Sequence, residues 1–254
     1  MSSGSLPKIL GELSPEPDTS DLLESLCWDS EHFGMRMARV RHPDSPGRVR
    51  SAAELADRMD VRCLTALIDA GDTKTIAAAE EAGYRCRDVR MEIGRALSDP
   101  TPNESGVRDA TDADLPRLEQ LARERFGVSR YFADPNFPRE RVRELYVRWL
   151  KRGFATDSRR VLVPINADGF IVCHFNSEAG IGSTELLAVS VQIERRGIGG
   201  RLLRAAEAAF TEAGLPRSSV VTQGRNLPAQ RLYQAHGYKS CKVGLWMHRW
   251  AIDL

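Results

Sequence analysis

One stretch in the last quarter of the chain does most to restrict the possible fold. An apolar, strand-like run at 185–191 is followed by a basic turn, Arg195-Arg-Gly-Ile-Gly-Gly200, and then by a helical pattern to about Thr211. A strand that passes through glycines into a helix predicts an α/β unit. Because glycine has no side chain, the backbone amides that open this helix can approach a ligand closely.

The chemistry of this turn suits a diphosphate. A helix N terminus has free N–H groups and a partial positive charge, and both attract phosphates. Two familiar phosphate motifs are absent, because a dinucleotide fingerprint needs glycine at Leu202 and a P-loop needs Gly-Lys-Ser/Thr where Gly200-Arg201-Leu202 stands. A plain structural turn is the alternative reading. The candidate diphosphate-binding residues are Arg195, Arg196, Gly197, Ile198, Gly199 and Gly200.

A second motif, Asn226-Leu-Pro-Ala-Gln-Arg-Leu-Tyr233, puts an amide and a phenol at a fixed spacing on a later helix. With both motifs in this order, residues 106–254 resemble the N-acetyltransferases of the GNAT superfamily. That family holds the CoA pyrophosphate with Arg/Gln-x-x-Gly-x-Gly/Ala, between its fourth strand and third helix, and carries Asn-x-x-Ala-x-x-x-Tyr on the next helix. The chain departs from the first motif at Glu194, where the family has Arg or Gln.

The resemblance implies an α/β (α+β) protein with the GNAT fold: a mixed, mostly antiparallel sheet flanked by helices, with a smaller N-terminal α/β domain. It implies acetyl-CoA as cosubstrate and no metal. It also implies that the backbone at Leu187, Ala188 and Val189 holds the pantetheine arm, that Asn226 contacts CoA, and that Tyr233 lies near the sulfur as the catalytic acid. From the residues alone, Asn226 can equally be a helix N-cap and Tyr233 a half-buried aromatic.

The group that removes the proton from the attacking amine is open at this stage. Two side chains are candidate catalytic residues for this role. Glu185 lies on the predicted strand that carries Leu187, and His174 lies on the preceding predicted strand. Histidine has a suitable intrinsic pKa. A chain of water molecules is a third possibility. No cysteine has a histidine or aspartate at a telling spacing, so we expect direct attack by the amine rather than a covalent enzyme intermediate.

Landmarks along most of the chain resemble a narrower type in the superfamily, the TDP-fucosamine acetyltransferases. That type implies a nucleotide-linked amino sugar as the acceptor. The alternatives are another small amine, a peptide N terminus, or a non-catalytic acyl-CoA-binding sensor. The candidate acceptor-binding residues are Arg130, Tyr131 and Phe132, since a guanidinium can pair with phosphate and an aromatic ring can pack on a base or sugar. The landmarks are Trp28, Phe33-Gly34, Ser129 to Phe132, Tyr146, Trp149 and Val220 to Gln223.

Composition limits the partners. The chain has 36 Lys and Arg against 35 Asp and Glu, and this balance favours neither nucleic acid nor a membrane surface. No run of 18 apolar residues and no signal-like start is present, and the five cysteines are scattered, so we expect a cytoplasmic protein without disulfides or zinc. A homodimer is implied only by the resemblance.

Proline- and serine-rich breaks and the hydrophobic periodicity predict the organisation of the chain. The predicted parts are a loose terminus at 1–20, a small α/β domain at 21–98, a linker at 99–106 and an acetyl-CoA-binding catalytic domain at 107–254. The predicted strands are 35–40, 63–68, 84–93, 161–165, 170–175, 184–191 and 218–222. The predicted helices are 51–59, 73–82, 115–122, 142–150, 198–211 and 226–236, with closing strands within 238–250.

Overall fold

The computed structural model of the protein describes residues 21–97 and 104–251. The predicted loose terminus and most of the predicted linker lie outside these residues. The strands are β1 (Leu23–Ser25), β2 (Met37–Val40), β3 (Cys63–Asp69), β4 (Arg85–Ala96), β5 (Val107–Asp109), β6 (Arg159–Pro164), β7 (Gly169–Asn176), β8 (Ile181–Val189), β9 (Arg217–Gln223) and β10 (Lys239–Trp250). The helices are α1 (Cys27–Phe33), α2 (Pro46–Arg58), α3 (Thr73–Glu81), α4 (Leu115–Arg125), α5 (Arg130–Ala133), α6 (Arg139–Phe154), α7 (Ile198–Glu212) and α8 (Leu227–Ala235).

All described strands join one sheet, in the order β1-β2-β3-β10-β4-β9-β8-β7-β6-β5. Only β2–β3 and β8–β9 are parallel among these strand pairs, so the predicted mixed, mostly antiparallel sheet is confirmed. Strand β10 lies between β3 and β4 and pairs with both. The sheet therefore runs through both predicted domains, and their division stays a prediction about independent folding units.

Local sequence explains why several of these elements form where they do. Thr111 and Asp114 make a capping box, in which the Thr111 amide donates to Asp114 Oδ2 at 2.8 Å. Helix α2 begins at Pro46 rather than at the predicted Ser51, because proline is favoured in the first turn of a helix and Ser45 supplies the extended residue before it. The closing strands expected within 238–250 are one long strand, β10.

Helices cover both faces of the sheet around β6 and β7. On one face, Val161, Val163 and Val172 pack with residues of α4, α5 and α6, and we call this the α6 face. On the other, Leu162 and Ile171 pack with α7 and α8, and we call this the α7 face. A third cluster joins α2 and α3 to the N-terminal strands. Because side chains alternate along a strand, each position of β6 and β7 is assigned to one face by this packing.

The feature that shapes the candidate site is a separation of β8 from β9. The two strands pair only from Ile181–Arg217 to Thr184–Val220. Beyond Thr184, β8 continues to Val189 along β7, and β9 continues to Gln223 along β4. We call the opening between Glu185–Val189 and Val221–Gln223 the wedge.

In the described part of the chain, no helix has both the length and the apolar character needed to cross a bilayer.

Candidate active site

The glycine turn forms an open helix N terminus. Arg195 has φ 62° and Gly197 has φ 78°, so the chain passes through two left-handed residues before α7 begins at Ile198. Gly197 occupies the N-cap position, where no side chain bonds to the first amides of the helix. Arg195 and Arg196 are exposed and form no ion pair with other described residues. The amides of the first turn are therefore available to an anion.

The start of α7 lies against both the wedge and α8. A Cβ atom added to Gly199 would stand 3.3 Å from Leu232, 3.8 Å from Leu187 and 3.9 Å from Val189. At Gly200 it would stand 3.0 Å from the ring of His236. The helix can approach the strand end and α8 this closely because both positions are glycine.

The three proposed pantetheine-binding positions lie along the open edge of β8. Ala188 is buried on the α6 face, while Leu187 and Val189 pack on the α7 face. Their backbone pairs with β7 and has no strand partner on the side of β9. An extended ligand with amide groups could occupy that edge, as an added strand does in other proteins.

Helix α8 carries the amide and the phenol of the second motif. Asn226 is its N-cap, as expected, and its Oδ1 accepts a hydrogen bond from the Ala229 amide at 3.3 Å. Tyr233 is 4% exposed and belongs to the same apolar cluster as Val220, the last residue of β9 that pairs with β8. Burial raises the pKa of the Tyr233 phenol above its ordinary value, which keeps the phenol protonated at neutral pH.

One hydrophobic cluster thus brings together four residues predicted for CoA binding. Tyr233 is a buried member, and Leu187, Val189 and Ile198 pack against it. They come from α8, β8 and α7, so only the tertiary fold makes them neighbours. This cluster closes the α7 side of the wedge.

The two candidate bases, Glu185 and His174, lie on the α6 side of the wedge, opposite the cluster that contains Tyr233. Glu185 is the extra residue of a β-bulge, since Val172 pairs with Leu186 and Cys173 pairs with Thr184. His174 follows Val172 by two residues on β7 and therefore shares the α6 face.

Both oxygens of Glu185 are held by an arginine that the sequence analysis did not single out. Arg159 Nε donates to Oε2 at 2.9 Å and Nη2 donates to Oε1 at 2.8 Å. Arg159 pairs in register with His174 across β6 and β7. Sequence spacing gives no signal for this contact, because 26 residues separate the two partners.

The three candidate acceptor residues all lie in the short helix α5. The Arg130 guanidinium carbon stands 3.8 Å from the Trp246 ring centroid and 4.5 Å from that of Tyr131. Arg130 Nη2 donates to the Tyr131 hydroxyl at 2.7 Å, which donates to Asp29 Oδ1 at 2.6 Å. Tyr131 is buried, and Phe132 packs against the same core.

These three residues are therefore held mainly by contacts within the chain, although Arg130 Nη1 has no hydrogen-bond partner in the described residues. They lie on the α6 face beside β10, as Tyr131 packs with Val161 and Val172. Three strand spacings separate β10 from β8, or about 14 Å. The structure thus places Arg130 on the same face as Glu185 but not in contact with it.

A fully buried carboxylate, also absent from the sequence-based predictions, anchors this region. Asp134 Oδ2 accepts from His248 Nδ1 at 2.8 Å and from Trp250 Nε1 at 2.9 Å, and Arg87 Nε lies 3.2 Å away. Burial lowers the pKa of His248 to about 4. Burial alone would raise the pKa of Asp134, but hydrogen bonds from His248 and Trp250 outweigh it and lower the value to about 2.

The departure from the diphosphate motif also has a partner. Glu194 forms an ion pair with Arg125, the last residue of α4. Arg125 thereby balances the negative charge of Glu194 beside the glycine turn. Within the described residues, no group of three or more His, Cys, Asp or Glu side chains is arranged to hold a metal ion.

Comparison with known proteins agrees with this geometry. The sequence model of the Acetyltransferase (GNAT) family matches residues 115–238, a span that contains the wedge, the glycine turn and α8. The dTDP-fucosamine acetyltransferase of Escherichia coli O6:H1 is 26% identical over 232 residues, which cover 89% of this chain and 97% of that protein.

Two solved structures share the fold. A GCN5-related N-acetyltransferase from Sphaerobacter thermophilus has a TM-score of 0.62 at 19% identity, and the match covers 91% of this chain and 78% of that chain. A tandem GNAT protein from the clavulanic acid biosynthesis pathway has a TM-score of 0.58 at 16% identity, with 86% and 76% covered. At these identities the two similarities concern the fold alone.

Proposed function

The chain is an acyltransferase that carries a GNAT-family acetyltransferase domain at residues 115–238, and we propose that it moves the acetyl group of acetyl-CoA to the amino group of a nucleotide-linked amino sugar. The observation that carries the proposal is the convergence at the wedge. There, β8 leaves β9 where the open end of α7 and the buried phenol of α8 meet.

In this proposal the cofactor spans the α7 side of the wedge. The first amides of α7, with Arg195 and Arg196, hold the diphosphate. The open edge of β8 hydrogen-bonds the pantetheine arm, and Asn226 contacts CoA from the start of α8. Holding the arm at several points orients the thioester for attack, and such positioning contributes much of the rate of a two-substrate reaction.

The chemical step is direct transfer. The neutral amine attacks the thioester carbonyl and forms the C–N bond, and the C–S bond then breaks. The departing sulfur takes a proton from the Tyr233 phenol, which burial keeps protonated. The proton released from nitrogen passes to Glu185, to His174 or to water, and the phenol recovers its own proton from solvent.

Gly199→Asp should weaken acetyl-CoA binding by about tenfold or more. The new carboxylate would repel the diphosphate, and its Cβ would crowd Leu232. The control is Gly47→Asp, which makes the same change at the second residue of α2. There an added Cβ would have no atom within 4 Å apart from its neighbours in the helix. An acid in the first turn favours either helix, so both variants should fold. Calorimetric titration measures the affinity, and equal affinities in the two variants would contradict the proposed cradle.

The acceptor is proposed from two observations. The E. coli relative, by its name, acetylates dTDP-fucosamine. In this chain, Arg130 offers a flat guanidinium on the same face of the sheet as Glu185. A thiol-release assay with acetyl-CoA should therefore give most turnover with a dTDP-linked amino sugar. Higher turnover with the free amino sugar, a polyamine or a peptide amine would show that the acceptor belongs to another class. Binding of acetyl-CoA without thiol release from any of these amines would favour a non-catalytic acyl-CoA-binding sensor.

Arg130→Ala should raise the KM for the sugar nucleotide by about tenfold and leave the KM for acetyl-CoA unchanged, because only the acceptor loses a phosphate contact. The matched control is Arg148→Ala, which removes another arginine beside an aromatic ring, Trp28, at 5.2 Å. Steady-state kinetics with the sugar nucleotide and with the nucleotide-free sugar separate the effects. A larger change in the KM for acetyl-CoA would refute the assignment.

A cytoplasmic location and a homodimer complete the proposal. The five cysteines are all free, which suits a reducing compartment that also supplies acetyl-CoA. The dimer is proposed from the resemblance alone, and sedimentation of the full chain tests it.

A further inference from the structure

The ion pair between Arg159 and Glu185 is unusual for its burial and its shape. The side chains are 9% and 16% exposed, and two parallel N–H···O bonds of 2.9 and 2.8 Å join them. Such a bidentate pair fixes both position and orientation of the carboxylate. A glutamate without it would sample several rotamers, and ordering it would cost conformational entropy.

The bulge places this carboxylate at the first unpaired position of the wedge. Thr184 is the last residue of β8 that pairs with β9, and Glu185 follows it. Each oxygen of a carboxylate can accept two hydrogen bonds, and Arg159 uses one on each. Each oxygen therefore retains one acceptor site.

We infer that Arg159 is a positioning residue, which holds Glu185 at the wedge so that a free carboxylate site accepts a hydrogen bond from the acceptor amine. This inference rests on the proposed acetyl transfer. The hydrogen bond aims the nitrogen lone pair at the thioester carbonyl. A lysine could keep the charge of Arg159 but not its two-pronged geometry.

The neighbouring residue provides a matched control. Arg160 forms the same bidentate arrangement with Asp109, at 3.0 and 2.9 Å. It lies on the opposite, α7 face of β6, two residues before Leu162. Arg160→Lys thus makes the same chemical change on the same strand, away from the wedge.

The first experiment compares Arg159→Lys with Arg160→Lys. We expect kcat for the acceptor to fall by about tenfold or more in Arg159→Lys and less than about twofold in Arg160→Lys. Acetyl-CoA affinity, measured by titration, should stay within about twofold in both. Equal kcat in the two variants would overturn the inference. If the unmodified chain releases no thiol with any amine, the proposed function itself fails.

The second experiment exchanges the partners, as Arg159→Glu together with Glu185→Arg. The ion pair can form again, so the melting temperature lost in either single variant should recover. Turnover should not recover, because the carboxylate now starts from β6 rather than from the bulge. Recovery of both would show that the pair serves only stability, and would overturn the positioning role.

Discussion

Tyr233→Phe should reduce kcat by about a hundredfold or more, because the departing sulfur loses its proton donor. The ring remains, so the apolar cluster that closes the wedge keeps its packing. Acetyl-CoA affinity should therefore change by less than about threefold, since the phenol acts chiefly as the C–S bond breaks. Steady-state kinetics and calorimetric titration of the same preparation measure the two quantities.

A second buried tyrosine of this cluster supplies the control. Tyr238 lies 5.7 Å from Tyr233, ring to ring, and its hydroxyl is 2.6 Å from the Ser218 hydroxyl. Tyr238→Phe removes one hydroxyl from the same core without touching the proposed acid. Its turnover should stay within about threefold of the unmodified chain, since only a structural hydrogen bond is lost. Equal losses in the two variants, or none in Tyr233→Phe, would remove the acid role.

Asp134→Ala should lower the free energy of unfolding by about 3 kcal/mol, because it leaves the half-buried Arg87 and the N–H donors of His248 and Trp250 without their buried acceptor. For a chain of this size the melting temperature should fall by roughly 10 °C. Asp134→Asn keeps an acceptor for His248 and Trp250 but loses the charge opposite Arg87, so an intermediate loss is expected.

The control for this stability effect is Asp109→Ala. Its arginine partner is 41% exposed and Asp109 itself is 61% exposed. Removing one member of such a pair should cost no more than about 1 kcal/mol. Urea unfolding of the three variants gives the comparison. A cost at Asp134 no greater than at Asp109 would show that the buried network contributes little.

The same network predicts the response to acid. His248 has a folded pKa of about 4, below the ordinary 6.5, so the unfolded chain binds its proton first and stability falls as the pH drops from about 6.5 to 4. Asp134 has a folded pKa of about 2 against 3.8, so its contribution is full above about 4 and is lost toward 2. Urea unfolding of the unmodified chain at a series of pH values should therefore show stability falling between about pH 6.5 and 4 through His248, and the contribution of Asp134 being lost below about 4.

Features with a local cause could be predicted from the sequence. The N-cap role of Asn226 and the start of α7 depend on a few consecutive residues, and both agree with the structure. Contacts between distant segments could not be predicted, because pattern and spacing give no information on them. Arg159 reaches Glu185 through the register of three strands, and Asp134 reaches His248 across 114 residues.

The proposed acceptor-binding residues also show what sequence motifs cannot predict. The order of short motifs singled out Arg130 and its two aromatic neighbours as a group. In the structure the Tyr131 hydroxyl is bonded to Asp29, and Arg130 lies between two rings, one of them Trp246 from β10. A motif can identify residues that act together, but it cannot separate a ligand contact from a packing contact until their neighbours are known.

The place of β10 has a consequence for synthesis on the ribosome. Among the described strands, β3 and β4 are joined only through β10, whose residues 239–250 are made after those of every other strand. Until then each of the two strands presents an unpaired edge on that side, where other chains can add. The nascent protein must therefore protect an unfinished sheet from the synthesis of β4 until that of β10, and slowing elongation before residue 239 should increase its dependence on chaperones.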